Sequence, residues 1–294
     1  MVVDQESAKL EATVRRKKTN RVNGGAPTND LVFSAYQAPN SSVFLLILDL
    51  YVNQGSRIAD VTCGKGVFWT EVDRCKYDLF MSDLRTTDLP EGAVGGIDCR
   101  ALPYEDEQFD AVVFDPPYMH TPGGTAHNGH QNFEQYYANN SSPEAISACL
   151  PALGLDGSPK YHEAVLDLYY RGAKEAWRVL KQAGIYIVKC QDEVCSNQQR
   201  LTHIEITAKL QEYGFCVEDL FVVMRQNEPG VSRLKERQYH ARKNHSYFMV
   251  YRKPKPRGQN GDRPDHSKKN SENGFTTTGG NSQLSFSYVD GKSK

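Results

Sequence analysis

No apolar run in this 294-residue sequence approaches the length of a bilayer-spanning helix, and its first ten residues, M-V-V-D-Q-E-S-A-K-L, lack the apolar core of a signal peptide. The expectation is a soluble, cytoplasmic protein. Nor is there an excess of one charge. Thirty-five Lys and Arg stand against 36 Asp and Glu, so net charge selects neither a nucleic acid nor a membrane, and any such partner must be sought in local clusters. The seven cysteines, Cys63, Cys75, Cys99, Cys149, Cys190, Cys195 and Cys216, include no C-x-x-C pair, which argues against a zinc site. An odd and scattered set reads as reduced, small core residues. The sequence also has no internal repeat.

What is present falls into three parts. Residues 1–25 carry Arg15-Arg16-Lys17-Lys18 and Asn23-Gly24-Gly25 with little that is apolar, and read as a flexible arm. Residues 255–294 turn to Pro, Gly, Asn, Ser and Lys, too polar to offset their ordering entropy, and read as a disordered tail. The folded domain is expected over 26–254.

Inside that span, apolar runs alternate with helical patterns. Asn40-Ser41-Ser42 reads as a helix cap before V-F-L-L-I-L-D-L-Y-V. Arg57 to Thr62 reads as a strand, followed by a glycine turn and a helix through Trp69 to Cys75. Y-D-L-F-M-S-D makes a strand ending at Asp83, and G-G-I-D-C-R a short one through Asp98. Phe109 to Phe114 is a further strand. Tyr161 to Lys181 carries apolar residues near helical spacing, and Gln182-Ala183-Gly184 separates it from a buried strand, Ile185 to Lys189. A helix around Ile204 to Tyr213 and two strands, F-C-V-E-D-L-F-V-V-M and H-S-Y-F-M-V-Y, complete the domain. Strands alternating with helices predict an α/β fold with a doubly wound, mostly parallel sheet, whose ligands sit at the carboxyl ends of the strands.

Every candidate polar group falls at such an end. Asp60 closes the first strand, and Gly64 and Gly66 let the backbone turn tightly against a ligand. The turn is not a phosphate loop, because no Lys-Ser or Lys-Thr follows the glycines, and Trp69 stands where a dinucleotide fingerprint needs its third glycine. By itself it is an ordinary glycine turn as often as a site. Asp83 and Asp98 bring two more acids to the same edge. Singly, each acid is more often a cap or a solvated loop residue; with the glycine turn they suit a nucleoside, Asp83 at ribose hydroxyls and Asp98 at an adenine amine. V-V-F-D-P-P-Y then ends a buried strand in Asp115-Pro116-Pro117-Tyr118. The prolines force the chain out of the sheet as a stiff extended turn, holding a carboxylate beside an aromatic ring.

In that order, Asp60 to Gly66, Asp83, D-C-R-A-L-P and D-P-P-Y resemble the AdoMet-dependent amino-methyltransferases, which methylate exocyclic nitrogens of bases, most often adenine N6 in DNA. The resemblance covers roughly Leu31 to Lys253, with a gamma-like motif order. It implies a Rossmann-like class I methyltransferase fold with its last strand antiparallel, S-adenosylmethionine (AdoMet) as cofactor, and a bacterial or phage setting such as restriction-modification. Asp115, Pro116, Pro117 and Tyr118 become the catalytic candidates. The Asp115 carboxylate and the Pro116 carbonyl accept the amine's N–H groups, while Tyr118 stacks on a base flipped from the duplex. Asp60, Thr62, Gly64, Gly66, Asp83 and Asp98 become cofactor candidates. Phe33 and Tyr36 join them because F-S-A-Y-Q-A-P-N-S-S-V resembles the family segment before the glycine motif. Val61-Thr62 departs from the frequent Pro-Phe, which brings Phe68 or Trp69 forward as pocket lining. Lys189 and Gln191 face the same edge by topology, with plain solvent exposure an equal reading.

Ten basic residues between Arg225 and Arg257 are opposed by Glu228 and Glu236 alone. Arg233, Lys235, Arg237, Arg242 and Lys243 are its candidates for contact with DNA phosphates, against a solvated surface loop. The polar segment from Met119 to Lys160 follows the catalytic motif and is long enough to be functional. His120, His127 and His130 lie in it without a fourth ligand, so no metal is expected. Methylation of cytosine N4, or of adenine N6 or guanine N2 in RNA, uses the same chemistry; Asp115 rather than Ser favours adenine. A catalytically silent AdoMet- or nucleic-acid-binding subunit and an NAD-dependent oxidoreductase are the readings from other classes.

Overall fold

The computed structural model describes residues 31–118, 161–195, 197–225, 239–241 and 243–256. The expected arm, nearly all of the tail, the segment 119–160 with its three histidines, and Arg233, Lys235, Arg237 and Arg242 lie outside them. Among the described residues no helix is long and apolar enough to cross a membrane.

The strands are β1 (Ala35–Tyr36), β2 (Arg57–Asp60), β3 (Asp78–Asp83), β4 (Val94–Gly95), β5 (Phe109–Phe114), β6 (Leu180–Cys190), β7 (Glu193–Cys195), β8 (Gln198–Arg200), β9 (Cys216–Met224) and β10 (His245–Arg252). The α-helices are α1 (Asn40–Tyr51), α2 (His162–Val179) and α3 (Thr202–Glu212). Eight strands form one sheet in the order β1-β9-β10-β6-β5-β2-β3-β4, and β7 and β8 make a separate hairpin. All neighbours in the large sheet are parallel except β10, which is antiparallel to both β6 and β9. This is the doubly wound, mostly parallel sheet expected, with the last strand reversed. From β2 the chain moves outward to β3 and β4, then crosses back to β5 on the other side of β2. The switch point therefore lies between the carboxyl ends of β2 and β5, the place where doubly wound sheets bind their ligands.

The central strands β2, β5, β6 and β10 bury both faces over most of their length, so their apolar runs are nearly continuous. In β5, Val112 and Phe114 enter the core under α2 and α3, while Ala111 and Val113 enter the core under α1. Gly172 of α2 lies directly over the Phe114 ring, where a Cβ would stand 2.7 Å from Cε2. That contact pins the residue immediately before Asp115.

Several local expectations are corrected. The helix through Trp69 to Cys75 is two short 3-10 turns, Val67–Trp69 and Arg74–Lys76. Gly66 opens the first at φ 71°, and the Thr70 hydroxyl donates to the Val67 carbonyl at 3.0 Å, closing a local turn that competes with α-helix. The strand through Asp98 shrinks to Val94–Gly95, because Gly96 turns the chain at φ 79° and Asp98 accepts from Ala101 in the turn beyond. Asn40-Ser41-Ser42 does not cap α1: the helix already includes it, and both serine hydroxyls donate to Glu71, at 2.6 and 2.9 Å. Gln182-Ala183-Gly184 does not end α2 either. It lies within β6, where Ala183 at φ 65° coincides with a register shift against β5. The edge strand β1 and the hairpin β7–β8 carried no sequence signal.

Candidate active site

The glycine turn is locked to the neighbouring strand. Gly64, at φ 50°, donates its N–H to Asp83 Oδ2 at 2.8 Å, and Arg85 N–H donates to Asp83 Oδ1 at 2.9 Å. Cys63 N–H donates to the Ser82 carbonyl at 3.1 Å. Asp83 is buried, so its carboxylate ties β3's end to the turn. Gly66, at φ 71°, would place a Cβ 3.2 Å from Pro90, so the positive φ and the close neighbour together call for glycine. Among the described residues, no heavy atom lies within 4 Å of where a Gly64 Cβ would stand. The backbone there faces open space.

Asp60 is 2% exposed and turned inward. Its Oδ2 accepts from Trp69 Nε1 at 2.7 Å, and its Oδ1 from Thr62 N–H at 3.3 Å. Burial raises its pKa to about 7, against the pull of those two donors, and the nearby Asp115 and Asp83 add to the rise. Trp69 thus serves Asp60 and packs edge-on to Phe44 of α1 at 5.1 Å. Phe68 lies against Phe248 at 5.2 Å. Cys63, inside the turn, is no nucleophile, because burial pushes its thiol up to about 12.

Asp98 lies at the same edge but forms a fork with Arg100. Arg100 Nε donates to its Oδ1 at 2.8 Å, Nη2 to its Oδ2 at 2.7 Å, and Arg100 N–H to Oδ1 at 2.9 Å. Burial pushes the Asp98 pKa upward, but Arg100 more than offsets this and holds it below the ordinary carboxylate value. Both oxygens are thus engaged within the chain.

D-P-P-Y leaves β5 as expected. Asp115 N–H donates to Thr62 Oγ1 at 2.7 Å, which stitches the turn to the loop after β2 across the switch point. Oδ1 of Asp115 is buried without a hydrogen-bond partner among the described residues. Burial raises the Asp115 pKa, and the charge of Lys189 pulls it back. Lys189 itself is 2% exposed, near the carboxyl end of β6. Gln191, just beyond, accepts from Arg225 Nη2 at 3.1 Å and donates to the Lys243 carbonyl at 3.3 Å.

The structure therefore brings Asp60, Thr62, Gly64, Gly66, Asp83, Asp98 and Asp115 to Tyr118 onto one edge of the sheet. Phe33 is exposed just before β1, and Tyr36 lies on β1, paired with β9 and packed against the core that holds Phe68 and Trp69. What reaches the turn from that part of the chain is α1, through Phe44 against Phe68 and Trp69. Lys243 is half-buried. Three roles had no sequence signal: Thr62 as an acceptor for Asp115, Trp69 as a donor to Asp60, and the ring contacts of Lys189.

Among solved structures, the chain is similar to a SAM-dependent methyltransferase from Methanosarcina mazei (13% identity over 71% of this chain and 97% of that one, TM-score 0.40). It is also similar to TrmN from Thermus thermophilus (14% identity, 72% of this chain, 48% of that one, TM-score 0.40). A third is a candidate DNA modification methylase, also from Thermus thermophilus, in complex with S-adenosyl-L-methionine (19% identity, 54% of each chain, TM-score 0.34). At such scores the fold assignment rests on the strand order above. No curated protein matches the sequence. A family profile described as DNA methylase, covering N6 and N4 enzymes, matches residues 109–283, which begin at β5, include D-P-P-Y and span more than half of the chain. The chain belongs to the DNA methylase family.

Proposed function

We propose that this chain transfers a methyl group from S-adenosylmethionine to the exocyclic N6 amine of adenine in DNA, inside the cell that holds that DNA. The observation that carries the reading is the orphaned Oδ1 of Asp115, a buried acceptor at the end of β5 beside Pro116 and Tyr118. A buried acceptor left without a donor costs about 1–3 kcal/mol, and a ligand N–H recovers it. The amine of an adenine ring supplies such a donor, whereas a hydroxyl or thiol target needs no paired acceptors.

The cofactor side fits as well. Open space over the Gly64 backbone lets a ligand lie close to the turn, and Asp83 behind it fixes the turn's shape. Asp60, Thr62, Gly64, Gly66 and Asp83 would hold AdoMet, with Asp98 and Arg100 at its outer edge. AdoMet, when bound, supplies a methyl group already activated on a sulfonium.

The chain's own residues then do the positioning. An aniline-like nitrogen is a poor nucleophile because its lone pair is delocalised into the ring. Accepting its two N–H bonds at Asp115 Oδ1 and the Pro116 carbonyl favours a pyramidal nitrogen with its lone pair directed along the transfer path. Tyr118 offers the ring on which a flipped base stacks. Thr62 holds Asp115 at a set distance from the cofactor loop. Lys243 and the basic stretch before it supply phosphate contacts.

The test is incubation of the purified protein with labelled AdoMet and unmethylated genomic DNA or, separately, total RNA, followed by digestion to nucleosides. Label in N6-methyldeoxyadenosine, abolished by Asp115→Ala, is expected. Label in N4-methyldeoxycytidine or in RNA would reassign the target, and no label in any nucleoside would overturn the reading.

A further inference from the structure

Alternation along β6 sends Ile185, Ile187 and Lys189 to one face. The two isoleucines join the core that holds Phe68 and Phe248. Lys189 continues the stripe and ends it in a charge. Its Nζ lies 5.7 Å from the ring centroid of Phe68, 5.5 Å from Tyr118 and 5.4 Å from Phe248. The Tyr169 hydroxyl donates to the Lys189 carbonyl at 2.7 Å, which anchors the backbone below. Among the described residues the ammonium has no hydrogen bond or ion pair of its own. Lys253 shows the ordinary fate of a buried lysine: its Nζ donates to the carbonyls of Leu180 and Trp177, at 2.7 and 2.9 Å, and to Glu107. Three ring-face contacts at about 0.5–2 kcal/mol each offset much of the hydration that such an ammonium gives up, but they supply it with no counter-ion. The rings fix where the charge sits.

The charged and titratable groups around Asp115 explain what the ammonium does. Asp60 approaches from β2, with Asp83 behind it on β3; Cys190 and Lys189 approach from β6, and Tyr118 from the turn itself. Among the described residues Lys189 is the cation of this group, and the pairing of Phe114 with Val188 sets it beside Asp115, the next residue along β5.

We propose that Lys189 is a positioning residue for the target amine: caged by Phe68, Tyr118 and Phe248, its ammonium stands beside the Asp115 carboxyl on the neighbouring strand and holds the Tyr118 ring next to it. One charge thereby fixes both halves of the amine pocket. This rests on reading D-P-P-Y as that pocket. The ammonium makes no step of its own, and Lys189 acts through Asp115 and Tyr118.

Direct titration tests it without cofactor or DNA. The full chain is labelled with 13C at the aspartate side-chain carboxyl, and the Asp115 resonance is assigned by its loss in Asp115→Asn. In Lys189→Met the Asp115 midpoint is expected to rise by about 1 pH unit or more, because an opposite charge on the adjacent residue of the neighbouring strand lowers a carboxyl by about 1–3 units. Lys189→Arg keeps the charge and is expected to restore the wild-type midpoint. An unmoved midpoint in Lys189→Met, or an arginine variant that behaves like methionine, overturns the proposal. If Lys189→Met does not fold, Lys189→Gln, which is polar and uncharged, decides in its place: its Asp115 midpoint must rise, and constancy overturns the proposal.

A second readout is the pH profile of methyl transfer to DNA. Lys189→Met is expected to lose about tenfold on the acid limb for each pH unit by which the Asp115 midpoint rises, with the AdoMet KM unchanged. A profile that drops evenly at all pH values shows a merely structural role and overturns the proposal. Wild-type protein that shows the carboxyl coupling but methylates no DNA would sink the functional reading and leave the coupling standing, so the two failures are distinguishable.

Discussion

Replacing Asp60 by asparagine isolates what it costs to bury a carboxylate at the end of β2. The folded-state pKa of about 7 stands against an ordinary 3.8. Below 3.8 both the folded and unfolded chains hold the proton. Between 3.8 and about 7 the unfolded chain has lost it while the folded chain keeps it, so unfolding releases a proton and stability falls as pH rises. Above about 7 both are ionised and the loss levels off. Three pH units at 1.36 kcal/mol each make the swing about 4 kcal/mol. The Asp60→Asn chain has no such swing. Its single amide oxygen can serve either Trp69 Nε1 or Thr62 N–H, which are 2.7 and 3.3 Å from the two carboxylate oxygens of the wild-type residue. Its NH2 must then face the other donor, at a cost of about 1–3 kcal/mol. The variant is therefore expected to be less stable than wild type near about pH 4 and more stable near about pH 9, with the two curves crossing between. Urea unfolding of the full chain without cofactor, at one-unit pH intervals, measures both curves. Parallel curves would refute the argument, because they would mean that Asp60 is not protonated on folding.

Thr62→Val keeps the shape but removes the acceptor for Asp115 N–H, so about 1–3 kcal/mol of stability should go. If the bond positions the turn, kcat should fall while AdoMet affinity, by equilibrium dialysis, changes little. Gly172→Ala drives a Cβ into the Phe114 ring and should cost about 1–3 kcal/mol, read as a lower Tm. A Tm equal to wild type would show that α2 can lift off β5 freely. Arg100→Met leaves the Asp98 carboxylate uncompensated at a partly buried position; about 3–5 kcal/mol is expected, smaller in acid, where Asp98 takes up a proton. Equal losses in acid and at neutral pH would contradict that cause. Asp115→Ala should lower methyl transfer by at least about 100-fold in single-turnover assays while the chain still binds AdoMet.

The legible parts of the site share one property: each is a local constraint. Pro116 and Pro117 force the exit from β5 whatever lies around them, and the strand ends where the sequence places it, at Phe114. Gly64 and Gly66 do take up positive φ, as a tight turn requires. Asp60 and Asp83 come to one edge because parallel strands must end on the same side, and Asp98 follows in the turn beyond β4. The misread parts depend on competition between local and distant partners. Ser41 and Ser42 have the chemistry of a cap, yet Glu71, thirty residues away, takes both hydroxyls. Ala183 and Gly184 look like a helix stop, yet pairing with β5 and β10 carries the strand through them. The two-residue strand that carries Tyr36 is held by β9, a partner that nothing near it in sequence announces.

The order of apolar runs, the glycine turn and D-P-P-Y by themselves determined a doubly wound sheet with acids at its carboxyl edge and a stiff acceptor turn at the end of β5. They could do so because alternation, proline and glycine act over a few residues. Only the tertiary structure decided which way each acid faces. Asp60 turns in to Trp69, Asp83 turns back to Gly64, Asp98 closes on Arg100, and Asp115 keeps a buried oxygen without a donor among the described residues, beside Lys189. Four similar carboxylates become different because burial and distant donors, rather than neighbours in sequence, set the energy of a charge.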